Sequence, residues 1–332
     1  MSKKKKPYNV VVMGGGTGTF GVITALKELP VTITTLIAVS DSGGSTGRIR
    51  DEFGFQPVGD LRQSLAALAE SEHENWIQNI LLYRFNKGSG LKGHNLGNLI
   101  LTALQDMTSS TTESLGIASR IFRLSGTVLP VTDENVNLKI HYTDGTSEVG
   151  EHILDENPKH PKTIKKVTLV PNCSLSSQAQ QAIESADLII IGPGDYYASI
   201  MATLMVDGVQ TAFKTSSAKV LYVLNLMTRK TQTHGMSATV HQKGIEAAIG
   251  QPVDWMLVNT DVFSSEILAR YAAEKEYPVL DDTDVHNTHM LKKPLASTTV
   301  VEKSEHDTAH RSLIRHDSAK LQHVLENILE KL

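Results

Sequence analysis

Cysteine is nearly absent: Cys173 is the only one in 332 residues. A single thiol excludes an intrachain disulfide framework and suits a reducing compartment. No apolar run is long enough to span a bilayer; Leu188 to Ile191 is typical of the longest. No membrane insertion is expected. No hydrophobic signal segment follows the basic start, so export is not expected and the cytoplasm is the expected compartment. Strong charge is missing too. The net charge is −4, which argues against general nucleic-acid binding, since that requires a basic surface. The one basic run, Lys3 to Lys6, reads as part of a solvated tail over residues 1–8. No Gly-Lys-Ser/Thr follows a glycine-rich turn, so P-loop ATP hydrolysis has no support. His286 with His289 and His306 with His310 have helical metal-ligand spacing, but neither pair has an obvious third ligand.

What is present is glycine at selected places. Val10 to Met13 reads as a buried strand running straight into Gly14, Gly15, Gly16, Thr17 and Gly18, with a helix after it. Free N–H groups and the positive end of a helix dipole would meet there, an arrangement suited to a phosphate. Gly16, Gly18 and Gly21 also match the dinucleotide spacing G-x-G-x-x-G, which alone is weak and leaves a nicotinamide-cofactor reading open.

Strands and helices then alternate along most of the chain. Thr32–Val39 reads as the second strand, 40–59 as a long loop, and Asp60 as the cap of a helix over 61–70. A helical region covers roughly 75–122, with a break at 86–93. Residues 126–170 read as a β insertion, with an Asp-Gly hairpin turn at Thr143–Thr146. Later strands are expected at 188–191, 220–224, 255–258 and 279–280, and an amphipathic helix at 318–332. The pattern predicts one α/β domain over 9–332, built on a mostly parallel sheet covered by helices on both faces. In such folds ligands bind outside the carboxyl ends of the strands. Small and polar residues crowd those ends, including Asn259 and the pair Asp281-Asp282.

Each polar loop offers chemistry beside a plainer structural reading. Asp41, Gly43, Gly44 and Ser45 form a second glycine loop, in which Asp41 could bind ribose hydroxyls or a phosphate-held Mg²⁺, or simply form the turn. Asp60 could do no more than cap its helix. Arg62 lies in a first helical turn, a poor place for a cation unless an anion is near. His94, Asn95 and Asn98 could bind a sugar or base, His94 could act as an acid or base, or His94 and Asn95 could only cap a helix. Gly192 and Gly194 repeat the glycine logic after a buried strand.

These loops together resemble a known family. Gly14–Gly18, Asp41–Gly47, Pro57–Arg62, Gly93–Asn98, Ile191–Gly194, Asn225–Thr228 and Arg315–Asp317 are similar, in order, to the YvcK group. These are the gluconeogenesis-factor proteins, relatives of the CofD phospholactate transferases. The resemblance implies a Rossmann-like CofD-type fold and a UDP-sugar ligand of the UDP-N-acetylglucosamine type. It implies a regulator linking carbon metabolism to cell-wall synthesis and cell shape, or alternatively a Mg²⁺-dependent transferase; homo-oligomerisation stays open. Asn225, Met227, Tyr271 and Arg315 fall at matching ligand positions, with Tyr271 expected to stack on the base and Arg315 to hold the diphosphate. The chain departs from the family pattern at three places. Ser42 replaces a second aspartate, Asp195-Tyr-Tyr197 replaces Ser-Leu-Tyr, and Arg229–Thr233 replaces Gln-Pro-Gly-Glu-Thr.

Overall fold

Short apolar runs make the strands, and their burial shows why they need no polar alternation. The strands are β1 (Tyr8–Gly14), β2 (Val31–Ile37), β3 (Gly126–Pro130), β4 (Asn137–Tyr142), β5 (Ser147–Val149), β6 (Ile164–Val170), β7 (Leu188–Ile191), β8 (Lys219–Val223), β9 (Trp255–Asn259) and β10 (Met290–Lys293). The computed structural model describes residues 6–70, 75–154, 162–284, 287, 289–300 and 312–332. Lys3 to Lys5 of the basic run, Pro158, Pro161, His286, His306 and His310 lie outside the described residues.

Seven strands form one parallel sheet in the order β10-β9-β8-β7-β1-β2-β3. All four residues of β7 are buried, as are Val10 to Met13 and Val220 to Val223. Successive strand residues point to opposite faces, so burial of every one means that both faces are covered. Each such Val, Leu or Ile contributes roughly 1.5–3 kcal/mol. The fold is α/β and Rossmann-like, with a small antiparallel sheet β5-β4-β6 added.

The strand order reverses at β1 and β7, which pair with each other while the chain moves outward on either side. This is the switch point where ligands settle in open parallel sheets. The helices α1 (Gly16–Lys27), α2 (Gly44–Phe53), α3 (Gly59–Leu68), α4 (Trp76–Leu82) and α5 (Leu96–Thr108) follow from this half of the sheet. The closing helix, Ser318–Leu329, buries Leu321, Val324, Leu325 and Ile328 at helical spacing and packs against α1.

Several expectations need correction. Residues 40–59 are not a continuous loop, because α2 lies within them, ended by left-handed Gly54. Asp60 does not cap its helix: α3 begins at Gly59 and Asp60 sits in its first turn. The edge strand β3 belongs to the large sheet, so the antiparallel addition starts only at Asn137. Residues 279–280 form no strand; the last one is β10, where Met290–Lys293 pairs with β9. The sheet also takes in Tyr8, the last residue of the expected tail.

Candidate functional site

Loops from the carboxyl ends of the strands enclose a cavity of about 800 Å³ beside the β1/β7 switch point. That volume suits a nucleotide-sized ligand. From the sequence-predicted set, Gly15, Thr17, Gly18, Asp41, Gly43, Ser45, Asp60, Arg62, Asn98, Gly194, Asn225, Met227 and Arg315 line it. Gly44 opens α2 beside them.

The helix starts explain the chemistry. Neither α1 nor α2 has a side-chain cap on its N-cap residue, Gly15 and Gly43 respectively. Carboxylates stand there instead. Asp60 accepts from the Gly16 N–H, and Asp41 accepts from the Gly43 N–H at 2.8 Å. Burial lifts the Asp60 carboxyl to about 7, and the negative charges of Asp41 and Asp195 add to this. Burial also raises Asp41, against the pull of hydrogen bonds from Gly43 and Thr46 and the charge of Arg50. In the closing helix the carboxylate belongs to the N-cap residue itself, Asp317, which accepts from the Ala319 and Lys320 N–H groups at 2.9 and 3.0 Å.

Arg62 resolves its dipole conflict within the protein. Its Nε donates to Asn98 Oδ1 at 2.7 Å, and Nη1 donates to the Leu81 carbonyl near the end of α4 at 3.1 Å. It still lines the cavity. Just after β8, Asn225 holds Gly194 by both backbone groups, at 3.3 Å from the N–H and 2.7 Å to the carbonyl. Two of the departures from the family pattern meet here, as Arg229 Nη1 bridges both oxygens of Asp195 at 2.7 and 2.8 Å. The third meets the turn after β5: Ser42 Oγ lies 3.0 Å from His152 Nδ1 and accepts from the His152 N–H.

Other predicted residues have different duties. Gly14 and Gly192 shape the turns with positive φ of 147° and 71°, and neither lines the cavity. Gly16 does not line it either; a Cβ there would lie 2.2 Å from the Asp60 carbonyl oxygen, so Gly16 serves the packing of α1 on α3. Asn95 is the N-cap of α5, accepting from the Asn98 N–H at 3.2 Å. His94 stays outside the lining, with Nδ1 3.2 Å from Ser45 Oγ. Burial and the nearby charge of Arg48 push its pKa down. Tyr271 is buried outside the cavity lining, its hydroxyl accepting the Ile314 N–H at 3.0 Å inside a small apolar cluster. Asn259 ties down the backbone of Leu295 and Ala296, and Asp281 pairs with Lys292.

Sequence reading missed Glu151, His152, Ser199 and His316, all of which line the cavity. Glu151 and His152 arrive from the turn after β5, so no local motif marks them. Gly43-Gly-Ser45-Thr-Gly47 spells G-x-S-x-G, a signal that was legible. Ser45, however, sits in the helix α2 without the strained positive φ of a nucleophile elbow.

A model of the 2-phospho-L-lactate transferase CofD family matches residues 10–300. A putative gluconeogenesis factor from Thermotoga maritima is 38% identical over 322 residues, covering 96% of this chain and 98% of the relative. The gluconeogenesis factor of Bacillus subtilis is 34% identical over 333 residues, covering both chains completely. A crystal structure of a UPF0052 family member from Bacillus halodurans superposes with a TM-score of 0.86 at 33% identity, over 97% of this chain and 99% of that one. With a family match over most of its length and relatives aligned end to end, the chain belongs to the gluconeogenesis-factor group of the CofD family.

Proposed function

We propose that the protein is a cytoplasmic UDP-sugar-binding regulator, of the UDP-N-acetylglucosamine type, linking carbon metabolism to cell-wall synthesis and cell shape. The observation that carries this reading is the convergence of two helix starts without side-chain caps, α1 and α2, with Arg62 and Arg315 on one cavity of nucleotide size. Backbone N–H groups and guanidinium forks are the donors that a diphosphate needs.

Mg²⁺ fits this cavity in a limited way. It is usually bound by one or two carboxylates, with ligand phosphates and water completing the shell. Asp41 and Asp60 both line the cavity. Among the described residues no group of three candidate ligands forms a cage. Asp60 would then stand in for the second carboxylate that Ser42 lacks. When bound, the ion would neutralise phosphate charge, with Asp41 and Asp60 as its protein ligands.

A second reading, a Mg²⁺-dependent transferase of a phosphate- or nucleotide-linked group, is favoured by one specific observation. A cavity-lining carboxyl that burial lifts to about 7 is suited to take a proton from an acceptor hydroxyl. Incubating the pure protein with UDP-N-acetylglucosamine, with and without Mg²⁺, separates the two. The regulator reading expects binding and no product over hours at micromolar protein. A Mg²⁺-dependent product that disappears in Asp41→Asn establishes the transferase instead.

Arg315→Ala is expected to weaken UDP-sugar binding by about 2 kcal/mol, the scale of a charge-assisted hydrogen bond. Uridine should bind almost as before. Calorimetry with both ligands checks this, and equal losses would remove Arg315 from the diphosphate site.

A further inference from the structure

Asp195 lines the cavity and its side chain is 34% exposed, so a ligand there can reach it. Its carboxylate is held in one orientation. Arg229 Nη1 donates to Oδ1 at 2.7 Å and to Oδ2 at 2.8 Å. Arg229 is fixed in turn. Its backbone N–H donates to Thr233 Oγ1 at 2.8 Å, and the buried Glu276 carboxyl lies close enough to feel the guanidinium charge. A carboxylate offers about four lone-pair positions. A single nitrogen takes one on each oxygen, which leaves both oxygens able to accept again.

The backbone beside Asp195 is built differently from the starts of α1 and α2. Asp195 leads into a short π-helix, Tyr196–Met201. There Gln232 Oε1 accepts from the Tyr197 and Ala198 N–H groups, at 3.1 and 3.3 Å. Donors that an anion would use are already occupied, and the group turned to the cavity is an acceptor with a negative charge. A phosphate is repelled by such a group. A hydroxyl is drawn to it, because a hydrogen bond to an ionised acceptor is about twice as strong as one between neutral groups.

We infer that Asp195 accepts hydrogen bonds from sugar hydroxyls of the bound nucleotide sugar, with Arg229 as its positioning residue. This rests on the nucleotide-sugar reading above and makes Asp195 a specificity residue within it. Hydroxyls of the terminal sugar and of the ribose share this chemistry, and a neighbouring pair on either ring can meet the two carboxylate oxygens together. A site that hydrogen-bonds a hydroxyl discriminates strongly against a ligand that lacks it. The direction of the effect separates this role from simple electrostatics. Loss of a negative charge beside a phosphate site tightens every anionic ligand. Loss of a hydroxyl acceptor weakens only the ligands that carry the hydroxyl.

The test is calorimetry without Mg²⁺, so that no loss can arise through the ion. The ligands are UDP-N-acetylglucosamine, UDP and pyrophosphate. The proteins are the wild type, Asp195→Asn, and a double variant combining Asp195→Ala with Arg229→Gln. The double variant removes both charges together, so the net charge of the site is kept and neither partner of the pair is left alone. Both variants should weaken UDP-N-acetylglucosamine at least tenfold. In Asp195→Asn, pyrophosphate should bind as before or more tightly. If UDP also keeps its affinity there, the hydroxyls are those of the terminal sugar; if it falls as far as the UDP-sugar, they belong to the ribose. Unchanged or tighter UDP-N-acetylglucosamine binding in either variant overturns the assignment. So does an equal loss of pyrophosphate in Asp195→Asn, because pyrophosphate has no sugar hydroxyl. If the wild type binds neither UDP nor UDP-N-acetylglucosamine, the nucleotide-sugar reading itself falls and takes this inference with it.

Discussion

Gly16→Val is expected to cost the protein its fold rather than its ligand. A Cβ at Gly16 would lie 2.2 Å from the Asp60 carbonyl oxygen and 2.5 Å from Gln63 Cβ, both fixed in α3. Backbone cannot yield as the tip of a side chain can, so α1 and α3 must separate. Overpacking of this kind costs about 1–3 kcal/mol, and the rigid contact here places the loss at the upper end or beyond. Gly18→Val should behave alike, with its Cβ 2.2 Å from the Pro193 carbonyl oxygen across the β1/β7 switch point. Gly194→Val provides the contrast. No atom lies closer than 3.7 Å to a Cβ there, its φ is not positive, and the residue lines the cavity. It should melt near the wild-type temperature while losing nucleotide-sugar binding. Thermal melts of the three variants decide the matter: a wild-type melting temperature for Gly16→Val would show that this glycine is not required for packing.

That contrast also shows how far the sequence could be read. The glycine-rich turn after β1 was legible, and so was its place at the ligand edge of a parallel sheet. Which glycine meets a ligand and which meets a neighbouring helix was not, because α3 reaches α1 from more than 40 positions away. The helix α2 was hidden for a related reason. Its ten residues include two glycines and one buried aliphatic side chain, Ile49, so no apolar stripe announces it. Docking of Ser45, Thr46 and Ile49 holds it instead, and Gly54 at its end was the available stop signal. Tyr271 carries a role that the sequence could not show: its buried hydroxyl accepts the Ile314 N–H, tying two segments 43 residues apart. His316 lies within the Arg315–Asp317 motif, but its buried, unpartnered nitrogen exists only once the chain around it is in place.

Asp60→Asn is expected to stabilise the ligand-free protein while removing its response to Mg²⁺. Asp60 titrates near its ordinary value of 3.8 in the unfolded chain and at about 7 in the folded one. As pH rises through 4, the unfolded chain releases this proton while the folded chain keeps it until about 7. The unfolded state therefore binds fewer protons across that window, and stability falls as pH rises. At about 1.4 kcal/mol per tenfold change in proton affinity, the accumulated cost by pH 8 approaches about 4 kcal/mol as an upper bound. Asparagine does not ionise, so the variant should gain most above pH 7, and the gain should shrink towards pH 4. Binding should show the complementary signs. Without metal, a diphosphate approaching the start of α1 meets the Asp60 carboxylate above pH 7 and a neutral carboxyl below it, so affinity should rise as pH falls. With Mg²⁺ the ionised carboxylate becomes a ligand to the ion, and affinity should rise with pH through 7. In Asp60→Asn both dependences should flatten around pH 7. Denaturant melts from pH 4 to 8 and UDP titrations with and without Mg²⁺ measure these two effects separately. A variant less stable than wild type at pH 8 would show that the carboxylate is compensated in the folded protein, and would remove Asp60 as the source of the pH response.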